Sequence, residues 1–502
     1  MKQFKLYYTS DVHGYLLPTD YIQAGAQPLG LANAATHFQK DAQTLIIDGG
    51  DMFQGSPMLQ YLQQQPAQDA VTTAMNLAGY DYVTLGNHDF NFGYDALQQH
   101  LARLDATVIA ENVTDLNGHT LYPAQIKTLG DGTRIGLMGL VTDYINIWEQ
   151  PAHLNGIKIT APLHQAQQTV AYLRAHADVV IGLYHGGYER DLATGQLLSD
   201  TTENIAWALT QALDLDILIT AHQHGDVQPQ VINGVLTLQL PNQAKKFAVV
   251  TGQKHQDQWE FAAETKPVGD IARPDIVTAL APLQQQVEAW LDQPVATLNA
   301  PVPPAAPLQL AQFGHPILQW LAAVQLAASQ ADVTLVSLNN NPMSLPANVT
   351  FRQILQNYPF DNTLVTKRVT GRALRASLEH TADYFILEEN GQLAINPAWL
   401  QPKVEHYNYD LVYGLQYTFD VTQPVGQRVT AMRFNGQAVQ DEDTLTVAMN
   451  SYRAVGGGNY AAYQQAPTVF SDDRAVQELL TAYFKTHQQL PTAPQLAFNL
   501  KY

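Results

Sequence analysis

Residues 82–93, Tyr82-Val-Thr-Leu-Gly-Asn87-His88-Asp89-Phe-Asn91-Phe-Gly93, are the stretch from which the fold of this chain can be inferred. The segment begins with β-branched, aromatic and apolar residues, a composition typical of a short buried strand. This pattern stops at Gly86, and an amide and an imidazole follow. By itself the segment is compatible with an ordinary turn. A carbonyl oxygen and an imidazole directly after a strand can also bind a metal ion and a substrate at one place.

Four further apolar runs in the first half of the chain end in polar clusters of the same kind. The run 4–8 leads to Asp11-Val-His13, 44–47 to Asp48-Gly-Gly-Asp51, 178–184 to His185, and 215–219 to His222-Gln-His224. Helix-like segments lie between these runs, at 30–40, 69–78, 96–104 and 163–176. Alternating strands and helices predict a layered α/β domain, in which ligands bind beyond the carboxyl ends of the strands. We therefore expect all five clusters at one site.

The chain then passes through a predicted connector into a second domain. A strand at 248–262 closes the first domain, a helix follows at 274–291, and the Pro-rich segment 301–307 should be extended and stiff. We predict a catalytic domain at 1–270, a connecting helix and linker at 271–307, and a C-terminal domain at 308–502. The remaining expected elements are strands at 106–110, 134–141, 333–338, 409–418 and 427–434, a helix at 316–329, and a hairpin turn at Asn435-Gly436.

Composition limits the classes of partner. The chain carries 26 Lys and Arg against 45 Asp and Glu, and its net charge of −19 disfavours duplex nucleic acid. No apolar run approaches the length of a membrane span, and no signal-peptide pattern is seen, so we expect a cytoplasmic location without membrane attachment. No feature of the sequence indicates an obligatory protein partner. The chain contains no cysteine, so any metal must be held by His, Asp, Glu, Asn or Gln.

The residues at the five strand ends form the donor set of a metal centre. They comprise carboxylates, imidazoles and one amide: Asp11, His13, Asp51, Asn87, His185, His222 and His224. A single histidine is more often a structural residue, and the inference depends on the clusters occurring together. One divalent ion takes about four to six ligands, so this set suits two ions. The donor types accept Mn, Zn, Fe or Co and do not select among them.

A division of these ligands between two ions follows from their number and type. One ion is assigned Asp11, His13 and His224, and the other Asn87, His185 and His222. Asp51 would bridge them. Two ions about 3.5–4 Å apart can hold a bridging hydroxide and direct it at phosphorus. His88 is left outside the ligand set, where it can donate a proton or a hydrogen bond to the phosphoryl or leaving oxygen.

These clusters resemble the motifs of the calcineurin-like metallophosphoesterases, with Ala221 where the last motif usually has Gly. More narrowly, 6–14 and 82–93 are similar to two signatures of the 5′-nucleotidase / 2′,3′-cyclic-nucleotide phosphodiesterase family. The similarity continues in 358–364, 369–371, 407–410 and 450–458, and so covers nearly the whole chain. The resemblance implies a layered α/β/β/α metallophosphoesterase domain followed by a C-terminal α+β domain that binds the nucleoside.

The resemblance also assigns substrate contacts in the C-terminal domain. In relatives the base lies between two aromatic rings, and the matching residues here are Phe360 and Tyr452. Stacking tolerates different bases because every base has a π-face. Core packing is the alternative role for either ring. Asn339 would bind base or ribose. Arg453 would contact phosphate or sugar, with a structural ion pair as the alternative.

Three departures from the family pattern concern the substrate. Many 5′-nucleotidases have an Asp three residues after the catalytic His, where this chain has Asn91, which would still orient the His88 ring. The Arg of the family's Asn-Gly-Gly-x-Arg segment has no counterpart in 339–344. An Asp that contacts the ribose in some 5′-nucleotidases falls at Gly458. All three departures favour the cyclic-phosphodiesterase/3′-nucleotidase branch.

The sequence thus predicts an enzyme, a dinuclear-metal phosphoric ester hydrolase acting in nucleotide breakdown. Its expected substrates are 2′,3′-cyclic nucleotides and 3′- or 5′-nucleotides, attacked at phosphorus by a hydroxide held between the two ions. The alternatives are a hydrolase of nucleotide sugars or other phosphoesters, and a catalytically silent nucleotide-binding scaffold.

Overall fold

The structure is a computed structural model that describes residues 2–23, 25–63, 69–149, 151–197, 202–337, 339–340, 344–358, 360, 362–400, 404–487 and 489–502. The chain divides into two compact units, Met1–Glu288 and Ala289–Tyr502. The point of division falls inside the predicted connector at 271–307, whose limits stay predictions. Among the residues described, no helix is both long and apolar enough to cross a membrane.

The first unit is built on strands that alternate with helices. Its strands are β1 (Gln3–Thr9), β2 (Thr44–Asp48), β3 (Tyr82–Val83), β4 (Thr107–Val108), β5 (Ala110–Asp115), β6 (Thr120–Tyr122), β7 (Gln125–Thr128), β8 (Arg134–Val141), β9 (Ile157–Ile159), β10 (Val179–His185), β11 (Ile217–Thr220), β12 (Val227–Ile232), β13 (Val235–Gln239), β14 (Lys246–His255) and β15 (Gln258–Pro267). Its helices are α1 (Leu31–Ala34), α2 (Pro57–Gln63), α3 (Ala70–Ala78), α4 (Tyr94–Leu101), α5 (Ile145–Trp148), α6 (Pro162–His176), α7 (Ala206–Ala212) and α8 (Pro274–Leu291). Short 3-10 turns occupy Ala35–His37 and His88–Phe90.

Two six-stranded sheets form the centre of this unit. One has the order β15-β14-β1-β2-β3-β4 and the other β12-β13-β11-β10-β8-β7. Strands β1 to β4 pair in parallel, as do β8, β10, β11 and β13, and the outer strands pair antiparallel. Because the carboxyl ends of parallel neighbours lie at one edge of a sheet, the loops after β1, β2 and β3 are brought together. The loops after β10 and β11 are brought together in the same way.

Alternate residues of the second sheet face two different layers. Leu137, Ile181 and Ile219 belong to a core that also contains Leu6 and Ile47 of the first sheet, so the two sheets pack face to face. Their chain neighbours face the other way. Met138, Val180 and Leu218 pack with Val170 and Leu173 of α6. This period-two pattern, with both faces buried, confirms the predicted layered α/β class.

The second unit combines a mixed sheet with short helices. Its strands are β16 (Pro294–Thr297), β17 (Val333–Ser337), β18 (Asn348–Thr350), β19 (Thr363–Thr370), β20 (Phe385–Leu387), β21 (Leu393–Ile395), β22 (Asp410–Tyr413), β23 (Gln416–Asp420), β24 (Val429–Phe434), β25 (Gln437–Ala438), β26 (Thr444–Asn450), β27 (Thr468–Ala475) and β28 (Ala497–Lys501). Its helices are α9 (Pro307–Phe313), α10 (Pro316–Ser329), α11 (Phe351–Asn357), α12 (Gly371–Ala382), α13 (Ser451–Ala454), α14 (Ala461–Gln464) and α15 (Val476–Thr486). The largest sheet has the order β22-β17-β26-β19-β27, which confirms the α+β class.

Two of the predicted strands were wrong because each conceals a turn. The expected strand at 248–262 is the hairpin of β14 and β15, turned at Gln256, whose φ is 56°. The expected strand at 409–418 is β22 followed by β23, broken at Gly414, whose φ is 90°. By contrast, the Asn435-Gly436 turn joins β24 and β25 as predicted, and both residues have positive φ.

Candidate active site

The predicted site residues of the first unit lie where neighbouring parallel strands end. Asp11 and His13 follow β1, Asp51 follows β2, and Asn87 and His88 follow β3. His185 is the last residue of β10, and His222 and His224 follow β11. The structure brings these side chains together in two overlapping groups.

The first group contains Asp11, His13, Asp51 and His224, whose potential ligand atoms all lie within 4.8 Å of one another. His13 Nε2 is 3.0 Å from His224 Nε2 and 3.8 Å from Asp51 Oδ2. His224 Nε2 is 3.6 Å from Asp11 Oδ1. These are the residues assigned to one ion from the sequence, together with the proposed bridging carboxylate.

The second group contains Asp51, His185 and His222, again with potential ligand atoms within 4.8 Å of one another. Asp51 Oδ2 lies 3.1 Å from His185 Nε2. Asn87 Oδ1 lies 2.8 Å from His222 Nδ1, which adds the predicted amide oxygen to this group. Asp51 is the residue common to both groups, as a bridging ligand must be.

Hydrogen bonds fix which nitrogen of each imidazole faces the centre. His13 Nδ1 donates to the Gln54 carbonyl at 3.0 Å, and His185 Nδ1 donates to the Gly49 carbonyl at 2.6 Å. A carbonyl can only accept, so the proton is on Nδ1 and the lone pair of a neutral ring is on Nε2, toward the carboxylates. Metal-binding histidines are held by their second nitrogen in this way.

His222 is oriented in the opposite sense by a residue that the sequence did not indicate. Its Nε2 lies 3.1 Å from Glu203 Oε1, and donation to that carboxylate leaves the lone pair of Nδ1 facing Asn87 Oδ1. In a neutral ring with its proton on Nε2, this lone pair and that of Asn87 Oδ1 face each other at 2.8 Å, an arrangement that a metal cation between them would stabilise. Glu203 arises from a separate loop, and no local pattern marks it.

Several buried polar atoms at this place have no hydrogen-bond partner among the described residues, namely Asp11 Oδ2, Asp51 Oδ2 and His185 Nε2. The last two form an ion pair with 3.1 Å between Asp51 Oδ2 and His185 Nε2. An unsatisfied buried carboxylate oxygen is costly, and a divalent cation would satisfy all three atoms. The residues therefore fit divalent metal ions.

The electrostatics of His13 and His224 agree with a ligand role, whereas those of Asp51 and His185 favour an ion pair. Burial lowers the pKa of His13 to about 4 and that of His224 to about 3, so both rings are neutral, the form that binds a metal. Burial would raise the pKa of Asp51, but His185, His88 and His13 outweigh burial and hold it well below its usual range. Burial likewise opposes the charge on His185, yet Asp51 raises the pKa of His185 to about 10. One positive charge is thus already favoured beside Asp51.

Many of these residues share an unusual backbone conformation. The φ angles of Asp11, His13, Asp51, His222 and His224 are 52°, 51°, 60°, 73° and 56°. Non-glycine residues adopt this left-handed region at a cost, and such residues concentrate at functional sites. Close packing in the site also explains why residue 86 is glycine, because a Cβ there would lie 2.1 Å from Asp51 Oδ1.

His88 lies beside the two groups without belonging to either. Its backbone N–H donates to Asp51 Oδ1 at 2.8 Å, and its ring centroid is 5.4 Å from that of His13. Its Nδ1 donates to Asn91 Oδ1 at 2.7 Å, the contact through which Asn91 would orient the ring. The proton on Nδ1 leaves the lone pair of a neutral ring on Nε2.

Asp89 connects two loops of the site, a role that the sequence analysis did not predict for it. Its buried carboxylate accepts hydrogen bonds from four backbone N–H groups at 2.8–3.0 Å, those of Asp51, Met52, Phe53 and Gly86. It therefore ties the loop after β2 to the loop after β3. Its place directly after His88 was the available signal.

In the second unit, the predicted base-stacking residues are accessible to different degrees. The Phe360 ring is half-buried, with its centroid 5.6 Å from that of Tyr358 and 6.0 Å from that of Tyr407. Tyr452 is 40% exposed. Burial raises the pKa of Tyr452, and Tyr407 adds to the rise against the opposing charge of Arg453. Tyr407, which belongs to the 407–410 motif, therefore contacts the Phe360 ring and acts electrostatically on Tyr452.

The two polar residues predicted to bind substrate occupy different settings. Asn339 lines a pocket with Trp320, Ile354 and Tyr358, and its Nδ2 donates to the Gln356 carbonyl at 2.9 Å. Some of its predicted segment, 341–343, lies outside the described residues.

Arg453, whose predicted substrate contact stays a prediction, is buried in an ion pair. It is 1% exposed, and its guanidinium holds Asp410 through two bonds of 2.6 and 3.2 Å. It also donates to the Gly457 carbonyl and lies over the Tyr460 ring, 3.9 Å from its centroid. The structural ion pair, the alternative considered from the sequence, is what the structure shows.

Two face-to-face sheets with Asp and His side chains at the carboxyl ends of their parallel strands define a calcineurin-like metallophosphoesterase. Residues 4–226 match the calcineurin-like phosphoesterase family, and residues 295–465 match the 5′-nucleotidase C-terminal domain. A Staphylococcus aureus structure assigned as a 5′-nucleotidase, in complex with alpha-ketoglutarate, is 32% identical, with a TM-score of 0.88 over 100% of both chains.

Two curated relatives are more distant in sequence. The 2′,3′-cyclic-nucleotide 2′-phosphodiesterase/3′-nucleotidase of Haemophilus influenzae is 24% identical over 95% of this chain and 83% of that protein. The trifunctional nucleotide phosphoesterase protein YfkN of Bacillus subtilis is also 24% identical, over 90% of this chain but only 36% of that longer protein. The chain belongs to the 5′-nucleotidase / 2′,3′-cyclic-nucleotide phosphodiesterase family, and it is a phosphoric ester hydrolase.

Proposed function

We propose that this enzyme hydrolyses nucleotides with the help of two divalent metal ions, acting on 2′,3′-cyclic nucleotides and 3′-nucleotides in preference to 5′-nucleotides. The observation that carries the proposal is the sharing of Asp51 between the two groups of potential ligands. When bound, two divalent ions would supply a Lewis acid for the phosphoryl oxygens and an activated water for attack on phosphorus.

The side chains would divide the work around that chemistry. Asp11, His13 and His224 would hold one ion, Asn87, His185 and His222 would hold the other, and Asp51 would be shared by both. His88 contacts the phosphoryl or leaving-group oxygen through Nε2, because Asn91 occupies Nδ1. Mn, Zn, Fe and Co all suit this donor set, so which ion is native is a matter for metal analysis of the purified protein.

The preference among nucleotides is supported by Gly458. Its φ is 70°, and a Cβ there would lie 2.3 Å from Asn408 Oδ1 and 2.5 Å from a terminal nitrogen of Arg453. An Asp side chain therefore does not fit at the position that contacts ribose in some 5′-nucleotidases. The name of the Haemophilus influenzae relative points to the same branch.

Recognition of the nucleoside is assigned to Phe360 and Tyr452, with Tyr407 beside them and Asn339 as a polar contact. Stacking on aromatic rings would bind different bases with similar strength. Neither ring is fully buried, which supports binding over core packing. The cytoplasmic location inferred from the sequence is part of this proposal, and cell fractionation tests it.

The test is a turnover assay on 2′,3′-cyclic AMP, 3′-AMP, 5′-AMP, UDP-glucose and bis-p-nitrophenyl phosphate, after chelation and again with added Mn²⁺. A coupling phosphatase is added only for the cyclic nucleotide and UDP-glucose, because their hydrolysis leaves a phosphomonoester and releases no phosphate by itself; 3′-AMP and 5′-AMP are assayed without it. We expect metal-restored turnover that is fastest on cyclic AMP and 3′-AMP. Fastest turnover of UDP-glucose would instead identify a nucleotide-sugar hydrolase, and silence on every substrate with every metal would overturn the enzymatic proposal.

Variants separate a hydrolase from a silent scaffold. Asp51→Asn and His88→Ala should abolish turnover while leaving nucleotide binding measurable. His119→Ala is the matched control, since the His119 side chain is 79% exposed in the same unit. A scaffold would have no activity for either substitution to remove.

A further inference from the structure

A hydrogen-bond network joins four polar side chains, beginning at His88. His88 Nδ1 donates to Asn91 Oδ1 at 2.7 Å, and Asn91 Nδ2 donates to Glu149 Oε1. The second oxygen of Glu149 accepts a hydrogen bond of 2.6 Å from His153 Nδ1. His88 and Asn91 belong to the loop after β3, whereas Glu149 and His153 follow α5. The hydrogen-bond network therefore joins segments far apart in sequence.

The chemistry of these groups fixes which atom donates and which accepts in each hydrogen bond of the network. A carboxylate oxygen accepts, so the NH₂ of Asn91 must face Glu149 and its carbonyl oxygen must face His88. His88 Nδ1 must then carry a proton in both the neutral and the charged ring, and Nε2 is the nitrogen left for the substrate. Without Glu149, the Asn91 amide could rotate by half a turn and present its NH₂ to His88, which would exchange the roles of the two ring nitrogens.

The carboxylate is itself held in place. The Glu149 side chain is 9% exposed, and His153, which fixes its second oxygen, is 26% exposed. The Glu149 N–H donates to the Ile145 carbonyl at 2.8 Å, and the His153 carbonyl accepts from the Tyr94 N–H at 2.9 Å. Both ends of the segment are therefore tied down, and a hydrogen bond sheltered from water in this way is stronger than an exposed one.

We infer that Glu149 is a positioning residue for His88, acting through Asn91. It supplies, one residue further out, the carboxylate that many 5′-nucleotidases carry at the position of Asn91. The inference rests on the proposed function, in which His88 Nε2 contacts the phosphoryl or leaving-group oxygen. Glu149 touches neither substrate nor metal ligand in this role, so its effect must disappear when Asn91 is absent.

The test is a double-mutant cycle measured on 3′-AMP, with kcat and KM determined separately. Outer residues that orient a metal-site group typically change activity about 10–100-fold. We expect Glu149→Leu to lower kcat by about 10-fold or more and to change KM by less than about twofold. Glu149→Gln should keep kcat within about threefold of wild type, because its carbonyl oxygen can accept the same hydrogen bond from Asn91.

The decisive comparison is N91L with N91L/E149L. If Glu149 acts through Asn91, the double variant is no slower than N91L. If the two losses multiply, the inference is overturned. If E149L fails to fold, the variants N91D and N91D/E149Q answer the same question. In N91D two carboxylates lie side by side and their repulsion should lower kcat. In N91D/E149Q one of these charges is removed and kcat should be restored. Failure of E149Q to restore it would also overturn the inference.

A matched control distinguishes positioning from general destabilisation. Glu111 is also a buried glutamate of the first unit, and it accepts hydrogen bonds from the Ala124 N–H and Thr169 Oγ1 at 2.7 and 2.9 Å. Glu111→Leu should lower Tm without the selective loss of kcat. A wild-type enzyme inactive on all substrates refutes the proposed function, whereas an active wild type with multiplying losses refutes only the role of Glu149.

Discussion

Asp51 and His185 face each other with carboxylate Oδ2 3.1 Å from imidazole Nε2, and both side chains are fully buried. Asp51 follows a strand of the first sheet and His185 ends a strand of the second. The pair therefore joins the two sheets at the point where the metal ligands converge.

Metal binding should stabilise the first unit through Asp51. Ligand at 100 times its Kd stabilises the native state by about 2.7 kcal/mol, so Mn²⁺ should raise Tm of the chelated protein clearly. Asp51→Asn should lose most of that shift because the shared ligand is weakened. Calorimetry with and without Mn²⁺ measures it, and His119→Ala should respond like wild type. An undiminished shift in Asp51→Asn would contradict the bridging role.

Removal of the Asp89 carboxylate should be severe. Asp89→Ala leaves four buried backbone N–H groups without their acceptor, and each unsatisfied group costs about 1–3 kcal/mol before relaxation. We expect a loss of at least about 3 kcal/mol in the free energy of unfolding, with loss of turnover. Denaturant titration of Asp89→Ala and Asp89→Asn measures this. The Asn variant should fall between wild type and Ala, and a loss below 1 kcal/mol in Asp89→Ala would argue against this tie.

Asp69 should make part of the stability depend on acid. It caps α3 by accepting from the Thr72 N–H at 3.1 Å and lies 3.1 Å from His100 Nδ1. Burial would raise the pKa of Asp69, but these hydrogen bonds outweigh burial and lower it below the ordinary 3.8. A lowered folded pKa means that the contribution is present above pH 3.8 and is lost as the pH falls through the lowered value.

Comparison with Asp69→Asn isolates that contribution. The Asn side chain keeps the helix cap but does not ionise, so wild type should be more stable than the variant near neutral pH, with the difference in free energy of unfolding vanishing in acid. Urea unfolding at several pH values provides the measurement. A difference that grows as the pH falls would have the wrong sign and would exclude this account.

Replacement of Arg453 should affect folding before it affects substrate. Arg453→Met leaves Asp410 buried without its partner, which typically costs about 3–5 kcal/mol. Arg453→Met/Asp410→Leu should regain much of that loss, because no buried charge then remains. Equilibrium unfolding of both variants decides the matter. A raised KM with unchanged stability in Arg453→Met would restore the substrate contact predicted from the sequence.

The aromatic pair should contribute to binding and not to the chemical step. Stacking of a base on an aromatic ring is worth about 1–3 kcal/mol, so Phe360→Ala and Tyr452→Ala should each raise KM about 5–150-fold with kcat little changed. Steady-state kinetics on 3′-AMP tests this. Phe313→Ala, at a ring that is 74% exposed, is the control. Unchanged KM together with a lowered Tm would assign the rings to core packing.

Much of the fold was predictable where the spacing of apolar residues in the sequence matches the repeat of the helix or strand that forms. The helices at 274–291 and 316–329 and the strand at 134–141 lie at the predicted residues. The hairpin of β14 and β15 was missed because its turn, at Gln256, carries none of the Gly or Asn signals of a tight turn, so the alternation reads as continuous.

The inner part of the site was predictable because its residues directly follow strands. Two of the residues that contact them from outside were not. Glu149 reaches Asn91, and Glu203 reaches His222, from loops of no regular period, and only the folded chain brings them there. The same holds for Arg453, since the burial that decides between ion pair and substrate contact depends on Asp410 and Tyr460, which are distant or unremarkable in sequence.

The left-handed backbone at Asp11, His13, Asp51, His222 and His224 has a consequence for engineering. Asn, Asp and His tolerate this conformation comparatively well, and β-branched residues do not. Few residue types can therefore replace these side chains in an attempt to alter metal selectivity. A ligand can be removed without added backbone strain only by substitution with Asn or Gly. A redesign that needs a different donor must rebuild the loop around it, which makes the supporting residues the more accessible targets.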